Sequence, residues 1–130
     1  MKTKMMMVLL LMLSAFAAFP GLSYATHSWG GYHWARTSNP FTVKLGDDVS
    51  AVWDDYLWTA SNDWSVSGSL DGVLDSDIVL GGTNPKRCRP TGGRVEVCSS
   101  TYGKNGWLGL AQIWVSGLHI TQAVSKMNLA

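Results

Sequence analysis

The sequence predicts an α+β fold in which one amphipathic helix packs on a mixed β-sheet. Apolar residues spaced at three and four positions between Val49 and Trp64 indicate the helix. Two apolar segments between Trp107 and Asn128, joined at Ser116-Gly117, indicate paired strands. The chain runs strand, helix, strand, long loop, strand and strand pair, an order typical of a helix laid on a mixed sheet.

The first 25 residues have the pattern of a signal peptide. Lys2 and Lys4 precede an apolar run from Met5 to Phe19, and Ser23-Tyr24-Ala25 supplies small residues where signal peptidase reads them. A membrane anchor would need about 20 apolar residues, and this run is shorter and is followed by Pro20. We therefore expect cleavage after Ala25.

Cleavage would leave residues 26–130 as one domain, secreted to the extracellular space or the cell envelope, with no membrane association. Losing Lys2 and Lys4 reduces the ten basic residues to eight against nine acidic ones, a formal charge of −1. A nucleic-acid-binding face needs basic residues clustered on one surface. We expect no nucleic-acid partner, because the one basic cluster falls in a predicted loop: Lys86, Arg87 and Arg89.

Residues 41–45 alternate apolar and polar, which predicts a half-buried strand ending at Gly46. Asp47 and Asp48 then fit as caps of the helix, because a carboxylate accepts hydrogen bonds from the first turn and suits the positive end of the helix dipole. We expect the helix to bury one stripe, formed by Val49, Val52, Trp53, Tyr56, Leu57, Ala60 and Trp64.

The stretch from Ser65 to Asp77 is rich in Ser, Gly and Asp and predicts a loop, followed by a short buried strand, Ile78 to Leu80. Asp71, Asp75 and Asp77 could bind calcium, but their spacing lacks the ligand number and loop geometry of such a site, and we favour ordinary loop chemistry. All seven tryptophans lie after Ala25. Tryptophan can hold ligands, and we favour the alternative that it fills core volume.

Two cysteines bracket a predicted turn. Residues 81–93 read as a long loop and Arg94 to Cys98 as an alternating strand. In an exported protein Cys88 and Cys98 are expected to form a disulfide, stabilising the fold by roughly 2 to 3 kcal/mol in the chain-entropy model. A catalytic thiol would need a base oriented on it, and no candidate lies nearby in sequence.

The histidines show no metal-site spacing. His27 and His33 are separated by five residues that include no carboxylate or thiolate, so we favour solvated or hydrogen-bonded rings over metal ligands. His119, at the start of the last strand, is expected to make a structural hydrogen bond. We predict no metal ligand in this chain.

Two segments resemble secreted bacterial metalloproteases related to the matrixins, within the metzincin clan of zinc peptidases: YHWARTSNPFTVKLGDDVSAVWDDYL and GWLGLAQIWVSGLHITQAVSKMN. The resemblance spans about Tyr32 to Asn128. It implies the upper subdomain of that fold, a twisted mixed sheet with one long helix packed on it, and a long loop leading to an edge strand. The segment of this chain that resembles the family's edge strand consists of Gly109, Leu110, Ala111, Gln112 and Ile113. In the family, the edge strand pairs with the backbone of a peptide or protein substrate.

The family's catalytic motif, HExxHxxGxxH on a helix, supplies three zinc ligands and a general base. This chain does not contain that motif, and its one glutamate, Glu96, lies in the predicted disulfide region. We therefore expect a metzincin-like domain truncated before the zinc-binding helix, the substrate-binding half of an endopeptidase that is inactive as it stands. Zinc would be the cofactor of the full-length family only. The alternative is a secreted non-catalytic module that binds partners through the edge strand.

Overall fold

The computed structural model describes residues 30–71 and 74–129. The predicted signal peptide, His27 and Trp29 lie outside the described residues. The elements in chain order are β1 (His33–Trp34), β2 (Phe41–Asp48), a 3₁₀ helix (Ala51–Trp53), α1 (Asp54–Asp71), β3 (Leu74–Leu80), β4 (Arg94–Ser100), β5 (Gly109–Ser116) and β6 (His119–Asn128). The expected α+β class, one helix with a mixed sheet, is confirmed.

The six strands form one sheet, and β5 is its one antiparallel strand within the described ranges. Strand β6 pairs with β5 along one edge. Along its other edge it pairs first with β1, where His33 faces His119, and then with β4, where Val95 faces Ala123. Strands β2 and β3 follow in parallel beyond β4. Strands β5 and β3 therefore lie at the two sides of the sheet, the two-residue β1 pairs only with the start of β6, and β6 lies inside the sheet.

Helix α1 lies beside β3 and contacts the sheet through Leu57, 6% exposed, and Ser61, 6% exposed. The hydroxyls of Ser61 and Ser65 lie 2.8 and 3.2 Å from the hydroxyl of Ser76 in β3. The interface between α1 and the sheet therefore combines one apolar side chain with a cluster of serines. Hydrogen bonds between serine hydroxyls occupy positions where most helices make apolar contacts.

The predicted helix, Val49 to Trp64, is displaced from the observed one. Asp47 and Asp48 are not caps: they end β2, because the pairing of β2 with β4 continues to Asp48 opposite Cys98. At the other end α1 continues to Asp71 through residues predicted as a loop. A tertiary contact favours continuation of the helix, because the Ser65 hydroxyl, one residue beyond the predicted end, contacts the Ser76 hydroxyl in β3.

The amphipathic stripe is not found as predicted. Leu57 is buried, but Val52, Tyr56 and Trp64 are 74%, 67% and 60% exposed. The core role expected for tryptophan is also wrong for the six that the structure describes, since each is half-buried or exposed. The physical reason is that a single helix covers only part of this sheet face, so the remaining aromatic side chains have too little structure above them to become buried.

The segment predicted as a loop followed by a buried strand also differs. Strand β3 begins at Leu74, so Asp75 and Asp77 lie in a strand. It pairs with β2 on one side and is an outer strand, with Leu80 89% exposed. The apolar run Ile78 to Leu80 therefore does not belong to a central strand. A short apolar run does not reveal which strands it pairs with, and this pairing decides the position of a strand in the sheet.

The opposite face of the sheet is covered by loop 81–93. The predicted disulfide between Cys88 and Cys98 is present and joins this loop to β4. Both cysteines are buried, at 2% and 0% exposed, and form an apolar cluster with Val124 of β6. The disulfide thus holds the loop against the centre of the sheet.

Replacing Leu57 by aspartate should destabilise the fold by about 3 kcal/mol or more, because it buries an unpaired carboxylate between helix and sheet. For a domain of this size the melting temperature should fall by roughly 10 °C or more. The matched control is Trp58→Asp at the next helical position, where the side chain is 64% exposed. Equal melting temperatures for the two variants would show that Leu57 does not anchor the helix.

Candidate functional site

The residues that the resemblance assigns to substrate binding form the first part of β5. Gly109, Leu110, Ala111 and Gln112 are exposed, and Ile113 is half-buried. In the described part of the chain β5 pairs with β6 alone. Its other edge therefore presents backbone groups that no strand of the described chain covers, and such an edge can pair with an added strand.

The register identifies which backbone groups face outward. The Asn128 N–H donates to the Leu108 carbonyl at 2.8 Å. Residues along an antiparallel pair alternate between those bonded to the partner and those that are not. Gly109, Ala111 and Ile113 therefore turn their N–H and C=O groups away from β6. These three residues form the outward edge, the set of groups that a bound peptide would meet.

A β-bulge marks the far end of this regular stretch. The register with β6 shifts between Trp114 and Val115, and the Thr121 hydroxyl donates to the Trp114 carbonyl at 3.1 Å. A bulge twists a strand and re-aims its side chains. Regular pairing along β5 therefore runs from Gly109 to Trp114.

Asn128 holds the loop that leads into β5. Its side-chain oxygen accepts from the Tyr102 N–H at 2.9 Å, and its amide nitrogen lies 2.8 Å from the Gly103 carbonyl and 3.2 Å from the Trp107 carbonyl. Tyr102 also donates its hydroxyl to the Pro85 carbonyl at 2.5 Å. The loop before the edge strand is therefore joined both to the end of β6 and to the disulfide loop.

Asn128→Ala should loosen residues 101–108, because several loop groups lose one common partner. Hydrogen exchange should show faster exchange of the Tyr102 N–H in the variant. The control is Asn105→Ala, which removes the side-chain contacts of Asn105 to Asn128 and to the Tyr102 carbonyl and leaves the Tyr102 N–H bonded to Asn128. Unchanged exchange at Tyr102 in Asn128→Ala would contradict this role of Asn128.

A buried carboxyl pair, Asp48 with Glu96, lies under loop 81–93. Asp48 is 8% exposed and Glu96 0%. Glu96 Oε2 accepts from the Gly82 N–H, and Asp48 Oδ1 from the Thr83 N–H, both at 3.3 Å. Arg94 Nε lies 2.8 Å from Glu96 Oε1, but its N–H is not aligned for a hydrogen bond, so this contact is an ion pair.

Glycines make room for this pair. A Cβ at Gly46 would collide with the Glu96 carboxylate, and a Cβ at Gly82 would collide with the Arg94 guanidinium. Sequence reasoning missed the site because it assigned Asp48 to a helix cap and Glu96 to an ordinary strand position. The available signal was the combination of the sole glutamate with Gly81-Gly82 after a strand.

The two carboxyl groups titrate differently. Burial, followed by the hydrogen bond to Glu96, raises the pKa of Asp48 to about 6. Burial opposes ionisation of Glu96 as well, but hydrogen bonds from Thr91 and the Gly82 N–H, with help from Asp48 and Arg94, lower its pKa. Asp48 Oδ2 has no N–H or O–H partner among the described residues. A proton on Asp48 that is donated to ionised Glu96 would give both carboxyl groups a hydrogen bond, and we predict this shared proton at low pH.

The stability of the fold should therefore depend on pH through Asp48. Its pKa rises from 3.8 to about 6 on folding, so between these values the folded state binds more protons and the free energy of unfolding falls as pH increases. The loss should approach about 3 kcal/mol by about pH 7. The opposite contribution of Glu96, whose pKa is lowered from 4.5, rises with pH up to about that value and is nearly complete by about pH 5.

Denaturant unfolding at about pH 5 and about pH 7.5 checks this. Asp48→Asn should abolish the difference between the two pH values, because the amide donates to Glu96 without ionising. It should also be more stable than the parent at the higher pH. Asp77→Asn, at an exposed position of β3, is the matched control and should retain the difference. A parent protein with equal stability at both pH values would rule out the shared proton.

The described residues do not fit the zinc centre of the resembled family. They contain no group of three or more His, Cys, Asp or Glu placed to hold a metal ion. Glu96 cannot serve as a water-activating base there, because it is fully buried and paired with Arg94. His33 and His119 lie together on the surface, with ring centroids 4.9 Å apart. No hydrolytic step through zinc is derived for this chain.

An apolar groove of about 450 Å³ lies between α1 and the sheet. The helix contributes Leu57, Ala60 and Trp64 to its lining. The sheet contributes side chains from five strands, including Val43, Leu45, Val95 and Val97, which are half-buried. Apolar side chains of central strands are normally covered, so this face has the character of a core surface that one helix covers incompletely.

Comparison with known protein families, curated proteins and solved structures finds no match. Within residues 30–71 and 74–129, no helix combines the length and apolar character that a membrane crossing requires.

Proposed function

We propose that this chain is the substrate-binding part of a secreted zinc endopeptidase related to the matrixins, within the metzincin clan, and that β5 binds an extended peptide. The observation that carries the proposal is the outward edge of β5, where Gly109, Ala111 and Ile113 direct their backbone groups away from β6. A peptide lying beside β5 would form main-chain hydrogen bonds with these groups, which is β-augmentation.

The architecture supports the proposal. The resemblance implies a sheet carrying one helix and a loop that leads to an edge strand. The observed chain has α1 on the sheet, loop 101–108 held by Asn128, and β5 at the sheet edge. The Cys88–Cys98 disulfide supports secretion, because disulfides persist in oxidising compartments.

The apolar groove supports the same proposal. In the family, the zinc-binding helix follows the strand that β6 resembles. An additional helix would bury the half-exposed side chains of Val95 and Val97 on the sheet. Catalytic zinc needs about three protein ligands and a base, and the motif that supplies them does not occur in these 130 residues. We therefore assign peptide binding, and no cleavage, to this chain.

A secreted non-catalytic binding module is the second candidate, and the exposure of β5 favours it equally. The two candidates differ in the coding sequence. A reading frame that continues beyond Ala130 into HExxH would support the endopeptidase. A frame without that motif, for a chain that still binds peptide, would support the binding module.

The central test is Ala111→Pro, which removes one outward N–H and leaves the pairing with β6 intact. Binding of fluorescein-labelled casein, used as an unfolded polypeptide, is measured by fluorescence anisotropy. The affinity should fall by about tenfold or more, because the variant loses a main-chain hydrogen bond and the proline ring obstructs the edge. In the parent, casein should slow amide exchange at Gly109, Ala111 and Ile113.

Ala111→Val is the matched control, because it enlarges the side chain and retains the N–H. It should bind casein as the parent does. Circular dichroism and thermal melting should show that both variants remain folded. Equal binding by the folded proline variant and the parent would overturn β-augmentation at this edge.

A further inference from the structure

Two histidines from distant parts of the sequence meet on one surface of the sheet. Parallel pairing of β1 with β6 places His33 directly opposite His119, and the His33 N–H donates to the Leu118 carbonyl at 3.0 Å. The two rings meet edge to face, with centroids 4.9 Å apart and an interplanar angle of 87°. Both side chains are exposed. The backbone of the sheet, and not a loop, therefore sets their separation.

A backbone carbonyl selects the tautomer of the neutral His33 ring. His33 Nδ1 lies 3.0 Å from the Gly31 carbonyl oxygen. Because a carbonyl only accepts hydrogen bonds, Nδ1 carries the proton, and Nε2 of the neutral ring keeps its lone pair. Histidines that bind metal typically donate their second ring nitrogen in this way. His33 thus has the hydrogen bond that orients a metal ligand.

We propose that His33 and His119 form a surface site for one divalent transition-metal ion, with water completing its coordination. Two imidazole nitrogens bound to one ion at about 2.1 Å lie about 3.4 Å apart in tetrahedral geometry. The ring centroids are 4.9 Å apart, so rotation of the two exposed side chains can bring one nitrogen from each ring to a common ion. Sequence spacing does not indicate this site, because His33 and His119 are far apart in the chain and only the pairing of β1 with β6 brings them together.

The ligand type selects the ion. Neutral imidazole suits Cu²⁺, Ni²⁺ and Zn²⁺, whereas Ca²⁺ and Mg²⁺ require oxygen ligands. The site is independent of the proposed peptide-binding edge, since it uses β1 and the first residue of β6. Metal binding at this site would affect β1, because this strand has only two residues. A bound ion would clamp this short strand to the β5–β6 hairpin.

The experiment uses the full chain at about pH 7.5, where neutral imidazole is available to a metal. Calorimetric titration with ZnCl₂ should show one bound ion per chain. Cu²⁺ should give an electron paramagnetic resonance spectrum with hyperfine coupling to two nitrogens. CaCl₂ and MgCl₂ should neither bind nor compete. Hydrogen exchange should show that Zn²⁺ slows exchange of the His33 amide, which reports the clamp on β1.

His33→Phe and His119→Phe keep an aromatic ring and remove the ligand nitrogen. Each should weaken Zn²⁺ binding by about tenfold or more and abolish the two-nitrogen copper spectrum. His27→Phe is the matched control and should bind as the parent does. Retained binding in His33→Phe or His119→Phe, or an equal loss in His27→Phe, would overturn the assignment to this pair.

Discussion

Strand β6 has both of its hydrogen-bonding edges occupied, and this constraint organises the described fold. One edge carries β5, and the other carries β1 followed by β4. Backbone groups inside a sheet must be paired, so this one strand determines where three others lie. It also explains why adjacent residues that point to opposite faces, Ala123 and Val124, are both buried, at 6% and 1% exposed. A change that displaced β6 would remove the support of the edge strand, the disulfide cluster and the histidine pair together.

The two faces of the sheet are stabilised by different chemistry. Under loop 81–93 the disulfide, Val124 and the carboxyl pair pack closely, and glycines leave space for the carboxylates. On the other face α1 contacts the sheet through Leu57 and serine hydroxyls, beside an apolar groove. Buried carboxylates are costly unless paired or neutralised. The closely packed face therefore buries acidic groups that need neutralising partners, while the groove remains a surface with apolar area still to bury.

Strand β5 is the part of the sheet to which we assign the proposed peptide binding. Peptide recognition by β-augmentation requires a strand whose outer backbone groups are held in place before the peptide arrives. Strand β5 is positioned on one side by β6 and at its start by the loop that Asn128 holds. These contacts lie outside the proposed peptide-binding edge. The proposed affinity therefore resides in the backbone groups along β5, and a preference for peptide sequence would come from side chains such as Leu110 and Trp114, which are 38% and 37% exposed.

Local sequence patterns predicted those features that depend on neighbours along the chain. The β5–β6 pair, the strand at Arg94, the loop around Cys88 and the α+β class could all be predicted, because alternation, turn residues and cysteine spacing act over short distances. Helix ends were predicted poorly, since Asp48 and Ser65 are governed by contacts with β4 and β3. The partnership of Asp48 with Glu96, the meeting of His33 with His119 and the position of β6 inside the sheet were decided by the tertiary structure. Each joins segments far apart in sequence, and the order in which parallel strands pair leaves no periodic signal in the strands themselves.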